Sequence, residues 1–232
     1  MNDQLATIFL DNWSIYQRII TFNYMRHKEF AAETFNVFNK LEVKEPLEIL
    51  DLGCGDAQPM TVQLKQLKVG SYTGYDLSDT ALEFARLNLQ PFDCKIALRQ
   101  GPMQTLIHQE RGSFDVIYSS YAIHHLLDDQ KASLLQDCYN KLSGKGCLIM
   151  IDLLRDKNES LHHYIDRYID DIKNHWVLLS AQERELIYNH MRQYDFPAVK
   201  DDMMAWASKI GFLVEESPVN DGLNKMLVLT KP

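Results

Sequence analysis

The sequence predicts an α/β fold: a mostly parallel sheet covered by helices and closed by an antiparallel edge. Three observations predict it. Between residues 47 and 154, short apolar segments alternate with helical segments of roughly 10–15 residues, the signature of βαβ units. The segments ILDL, DVIY and CLIMI are apolar at consecutive positions, as strands buried on both faces must be. Two strands then follow each other at the end of the chain with only a reversal between them, which makes them an antiparallel pair.

Each element has its own reason. Leu5, Ile8, Phe9, Trp13, Tyr16 and Ile20 recur at spacings of three and four, so the chain opens with an amphipathic helix. A less regular helical stretch follows over 22–40, and Pro46 marks a boundary. Residues 47–52 read as a strand ending in DLGCG, and 58–67 as a helix with Pro59 in its first turn. Residues 71–76 form a strand. Ser78 is the expected N-cap of a helix running to Leu89, with Leu82, Ala85 and Leu89 on one face. Strands follow at 94–98 and 114–119. A helix capped by Asp128 or Asp129 runs to Leu142, with Gly144 as its stop, and 147–153 is a buried strand. From 158 to 194 the sequence is helical without a strand, and Leu161, Tyr164, Ile165, Tyr168, Ile169, Ile172 and Trp176 make one stripe. A second helix of this insert starts near Ser180. Pro197 ends the insert, a helix spans 199–210 and stops at Gly211, and strands at 212–216 and 225–230 flank Asp221-Gly222.

Composition sets the class. The 232 residues amount to about 1.5 typical domains, enough to bury roughly 70% of the unfolded surface without a staple. One domain with embellishments fits: a core drawn from 41–154 and 198–232, an N-terminal helical cap at 1–40 and a helical insertion at 155–197. Lys and Arg number 24 against 32 Asp and Glu, a net charge of −8, which argues against nucleic acid as a partner. The longest apolar run, 147–154, is far short of the roughly 20 residues of a membrane span, and the first ten residues do not read as a signal peptide. Cys54, Cys94, Cys138 and Cys147 show no CxxC spacing, and no His/Cys/Asp/Glu set has zinc spacing, so a reduced, cytoplasmic, metal-free protein is expected.

The turn DLGCG (51–55) lies between strand and helix, where Gly53 and Gly55 permit a sharp bend and close ligand approach. Position 58, where a dinucleotide motif has its third glycine, is Gln58. Asp51 beside the turn would repel a pyrophosphate and suits a cationic ligand. Asp76 ends the next strand, 21 residues after Gly55, where an acid accepts hydrogen bonds from ribose hydroxyls. A ribose without phosphates, joined to cationic groups, describes S-adenosylmethionine.

The segments ILDLGCGDA (49–57), YTGYDLSDTALEFAR (72–86), FDVIYSSYAIHHL (114–126) and LSGKGCLIMIDLL (142–154) resemble, in order and spacing, the class I S-adenosylmethionine-dependent methyltransferases. The resemblance covers about half the chain. It implies a Rossmann-like three-layer αβα sandwich with a seven-stranded, mostly parallel sheet and an antiparallel edge strand, plus the helical cap. It implies S-adenosyl-L-methionine as cofactor, S-adenosyl-L-homocysteine as product and a small-molecule methyl acceptor. By the same resemblance Gly53, Cys54, Gly55 and Asp51 lie at the methionine end of the cofactor, and Asp76 takes the ribose with Leu77 against adenine. Ser119 and Ser120 line the floor. The family often has an acid near the adenine amine; here Pro102 stands in its place, with Met103 left to pack on the ring. That departure keeps open a carboxylated cofactor, as made by the carboxy-S-adenosylmethionine synthase branch, with Arg26 or Arg192 as its cation. A non-catalytic cofactor-binding module is the other alternative.

Methyl transfer from a sulfonium needs alignment above all, with a base where the acceptor must lose a proton. His124 and His125 follow the fourth strand, and either is placed to be that base. His162 and His163 read as a surface helix face. Cys54 reads as a filler of the glycine turn. In the cap, Tyr24 and Arg26 are expected to meet the cofactor's carboxylate or an acidic substrate, and the insert's aromatic stripe forms either a lid or a homodimer contact.

Overall fold

The computed structural model describes residues 13–232. The part of the expected first helix that contains Leu5, Ile8 and Phe9 lies outside the described residues, as does the side chain of Trp13. Helix α1 (Trp13–Thr21) and helix α2 (His27–Phe38) precede the sheet. The core then alternates: β1 (Leu47–Leu52), α3 (Gln58–Leu64), β2 (Val69–Asp76), α4 (Asp79–Leu89), β3 (Lys95–Gln100), α5 (Met103–Gln109), β4 (Phe114–Ser120), α6 (Asp128–Lys141) and β5 (Leu142–Arg155). The insertion is α7 (Leu161–His175) and α8 (Ala181–Tyr194). The chain closes with β6 (Ala198–Val199), α9 (Lys200–Ile210), β7 (Leu213–Asn220) and β8 (Asn224–Thr230).

The strands run in the order β3-β2-β1-β4-β5-β8-β7, with the two-residue β6 beside the end of β5. From β3 to β5 neighbours are parallel, while β8 is antiparallel to both β5 and β7. The expected α/β architecture is therefore present. Strand order reverses between β1 and β4, so a crevice opens beyond their carboxyl ends. The central strands are buried as their sequences require, whereas β3 is an exposed edge.

Ser78 caps α4 through its Oγ, which accepts from the Ala81 amide at 3.1 Å. Ser180 and Glu183 form a reciprocal capping box at the start of α8. Gly144 does not stop α6: the helix ends at Lys141 and Leu142 is already extended as the first residue of β5. The left-handed residue there is Lys145 at φ 66°. Helix α5 and strand β6 have no counterpart in the sequence reading, because neither is long enough to show a period.

The cap has no core of its own. Ile15, Ile19 and Phe30 pack into the same buried cluster as Ile149 and Ile151 of β5 and Tyr164, Tyr168, Ile172 and Trp176 of the insertion. Tyr164 donates to Leu223 O at 2.7 Å and Tyr168 to Asn224 Oδ1 at 2.9 Å, which fixes α7 onto the start of β8. Tyr24 stacks on Trp176 with ring centroids 4.9 Å apart and planes 3° from parallel. Truncating Trp176 removes both the stack and a buried indole. Trp176→Ala is therefore expected to lower unfolding stability by about 3–5 kcal/mol. Urea unfolding followed by circular dichroism checks this, and a transition as stable as wild type contradicts the shared core.

Candidate active site

The crevice is built from backbone outward. The amides of Gly53 and Cys54 both donate to Tyr75 O, at 2.8 and 2.9 Å, pinning the turn after β1 to the end of β2. Gly53 sits at φ +72°, and a Cβ there would lie 2.3 Å from the Cβ of Ala122, so only glycine lets the two loops meet. The Asp76 carboxylate is held between two turns: Oδ2 accepts from the Gly55 amide and Oδ1 from the Ser78 amide, each at 2.8 Å. A carboxylate offers about four lone-pair sites, so two amides leave acceptor capacity for a ligand. Burial pushes the Asp76 carboxyl up, and the backbone amides oppose that push.

This cleft has a volume of about 250 Å³. Of the residues expected at the cofactor, Gly53, Gly55, Asp76, Leu77, Met103 and Ser120 line it. Gln104 and Tyr16 do so too, without having been singled out for it. No lysine or arginine lines the cleft among the described residues. Arg192 is exposed, and neither it nor Arg26 is placed to pair with a carboxylated cofactor.

Five expected cofactor residues lie elsewhere. Asp51 is buried behind the turn, where Tyr72 donates to its Oδ2 at 2.7 Å; burial pushes its carboxyl up to about 7 against that hydrogen bond. The Cys54 thiol is buried and pushed well up, and a Cβ on Gly74 would meet its sulfur at 2.8 Å, so it fills space beneath the turn. Ser119 donates to Leu52 O at 3.0 Å, tying β4 to β1. Tyr24 and Arg26 are turned away from the cleft. The link between α1 and α2 bends through left-handed backbone at Asn23 and Arg26, which sends Tyr24 onto Trp176 and the Arg26 guanidinium to Asn220 O at 2.8 Å.

A second cavity of about 130 Å³ adjoins the cleft. Its walls are apolar: Ile15 and Ile19 from α1, Ile172 from α7, and Ile187 and Met191 from α8. One end is polar and carries His124, His125, His190 and Asp195. Tyr16, Tyr121 and His125 line both spaces and so form their common wall. Tyr121 holds a left-handed conformation at φ 55°, its amide donates to Ile151 O at 2.8 Å, and its hydroxyl donates to Met25 O.

The two histidines have different roles. His124 is buried; its amide donates to Asp152 Oδ2 at 3.0 Å and its Nδ1 lies 2.5 Å from Asp152 Oδ1. Its Nε2 lies 3.5 Å from Asp195 Oδ1. Burial works to lower this imidazole, but the two carboxylates overcome it and push it up to about 10. Both of its nitrogens thus face carboxylates, an arrangement that positions the ring and does not leave it open to take an acceptor's proton. Burial and the His124 charge lower His125, so it is neutral near pH 7, with Nδ1 3.1 Å from Tyr194 O. Burial also works to raise the Asp195 carboxyl, but the His124 cation and the other rings hold it well below the usual range. His162 and His163 are surface residues, with side chains 89% and 72% exposed. His190 and Asp195 escaped the sequence reading because they lie about 65–70 residues beyond His124 and His125. The fold alone unites them.

The sheet core of the chain is similar to known methyltransferase domains. Residues 49–146 match a family described as methyltransferase domain. An uncharacterized protein of Haemophilus influenzae is 30% identical over 64% of this chain and 58% of its own length. A phosphoethanolamine N-methyltransferase of Plasmodium falciparum is 27% identical over 73% of this chain and 61% of its own. The chain thus spans about three fifths of these two relatives. Among solved structures, the mitomycin 7-O-methyltransferase MmcR superposes with a TM-score of 0.65 at 15% identity, over 100% of this chain and 61% of that one. The YcgJ protein of Bacillus subtilis gives 0.59 at 12% identity, over 86% and 98%.

Asp51 makes a pH-dependent prediction. Its folded pKa of about 7 exceeds the ordinary 3.8, so the stability it contributes is full below that ordinary value and is lost as pH rises through about 7. Asp51→Asn is expected to flatten the fall in unfolding free energy across this window. Urea titrations at several pH values measure the slope, and an unchanged slope contradicts the buried proton.

Proposed function

We propose that this chain transfers the methyl group of S-adenosylmethionine to a small, neutral, largely apolar acceptor held in the second cavity. The observation that carries this reading is the common wall: Tyr16, Tyr121 and His125 border both spaces, so a cofactor in one presents its methyl to a molecule in the other. In-line displacement then proceeds by alignment, which is worth up to about 7–11 kcal/mol in ideal intramolecular systems. The tyrosine faces at the wall tolerate a cationic sulfonium. Asp76 takes the ribose hydroxyls, Leu77 and Met103 sandwich the adenine, and the Gln104 amide supplies the polar contact that the missing acid would have given.

The acceptor class follows from the cavity. No lysine or arginine lines it among the described residues, so it lacks a partner for the phosphate in the name of the Plasmodium relative. Its apolar walls and single polar end fit a compact molecule with one nucleophilic oxygen or nitrogen directed at the His125–Asp195 end.

Formation of S-adenosylhomocysteine in the presence of a panel of small neutral phenols, alcohols and anilines tests the reaction. Tight cofactor binding without turnover on any neutral acceptor overturns it. Asp76→Ala is expected to weaken S-adenosylmethionine binding by about 1–3 kcal/mol by calorimetry, and unchanged affinity removes Asp76 from the ribose. Ile187→Trp, which places an indole in the second cavity, is expected to abolish transfer while leaving cofactor affinity intact. Loss of both together contradicts separate sites.

A further inference from the structure

We propose that His124, His125 and Asp195 form a binding site for one divalent transition metal of the zinc class, open toward the acceptor cavity. His124, His125 and Asp195 each offer a ligand atom, and these three atoms lie within 4.8 Å of one another. Asp195 Oδ1 is buried and makes no hydrogen bond of ordinary length. Around it stand His190 Nε2 at 3.3 Å, His125 Nδ1 at 3.4 Å and His124 Nε2 at 3.5 Å. A charge-assisted hydrogen bond would close to about 2.7–2.9 Å. The 3.5 Å between His124 Nε2 and Asp195 Oδ1 instead lies close to the edge of a tetrahedron with metal–ligand bonds of 2.0–2.1 Å, which is about 3.3–3.4 Å.

The outer contacts fit as well. His124 Nδ1 faces the buried Asp152 carboxylate, the arrangement that fixes the tautomer and direction of a metal-ligating imidazole. His125 Nδ1–H donates to Tyr194 O at 3.1 Å, which leaves Nε2 as the nitrogen with a lone pair for a metal, and His190 stands outside the three-atom group against Asp195 Oδ1. Two imidazoles and one carboxylate are a zinc donor set, and three protein ligands leave a fourth position. Here that position faces the cavity which all three residues line.

Binding balances simply. The metal displaces the proton from His124 Nε2, which leaves to solvent. An acceptor X–H coordinated at the fourth position loses its proton to solvent more readily. The lone pair of X then forms a bond to the methyl carbon, and the C–S pair returns to sulfur as a neutral thioether. This role rests on the acceptor-cavity reading; the binding site itself does not.

The untagged full chain, dialysed against a chelator, is titrated with Zn²⁺ by calorimetry. One equivalent is expected to bind. Asp195→Asn is expected to weaken it by more than 10-fold, and Asp152→Asn by about 10–100-fold. Retained S-adenosylmethionine affinity shows that each variant is folded. Co²⁺ added to the wild-type chain is expected to give the intense visible bands of a four-coordinate site, and this readout needs no variant. Absence of both stoichiometric Zn²⁺ binding and the Co²⁺ spectrum overturns the proposal, as does unchanged Zn²⁺ affinity in both folded variants. Stoichiometric Zn²⁺ without methyl transfer leaves the metal site standing and removes the transfer reading. Transfer by a chain that binds no metal does the reverse.

Discussion

The approach of Gly53 to Ala122 governs the rest of this molecule. At that point the loops after β1 and β4 touch with no room for a Cβ on the glycine. The contact brings the ends of two strands together where the sheet order reverses. With the turn held there, the Gly55 amide reaches Asp76. Tyr121, one residue before Ala122, is placed in left-handed backbone and its ring becomes a wall between two spaces. A conformational freedom that belongs to glycine alone thus sets the geometry of both cavities.

The helical additions explain how a common fold acquires a particular site. The sheet and its turns supply the cleft. The second cavity comes from α1, α7 and α8 packing over the same sheet face, and its polar end is completed from the residue after α8. Asp195 is held there against the cost of burial by the His124 cation and the neighbouring rings. A buried charge group of this kind is expensive to assemble, and removing one member leaves the others uncompensated. It ties the end of the insertion to the loop after β4 more specifically than apolar packing would.

Much of this was legible in the sequence. The βαβ rhythm located the parallel strands within a few residues, and the Gly53–Gly55 turn with Asp76 marked the cleft because backbone demands at such turns leave local traces. The α7 stripe was readable because every third or fourth residue had to be buried. What escaped reading was whatever depends on tertiary arrangement. Tyr24 and Arg26 were reasonable cofactor contacts by type, but two left-handed residues redirected them, and no local pattern announced that bend. His124 and His125 look equivalent as neighbours, yet both face Asp195 while only His124 also meets Asp152. Asp195 sits before a Phe-Pro that reads merely as the end of an insertion. Helix α5 was too short to show a period.

The continuous packing of cap and sheet carries a consequence for traffic. Because α1, α2 and α7 share one buried cluster with the sheet, there is no interface along which they can swing as a rigid lid. Any widening of the second cavity therefore draws on partial loosening of a few side chains or of one helix end. Openings of that kind draw on the least stable parts of a fold and have their own rates. A sequence change that stiffens the cap would slow such opening without altering any residue that lines the cavity.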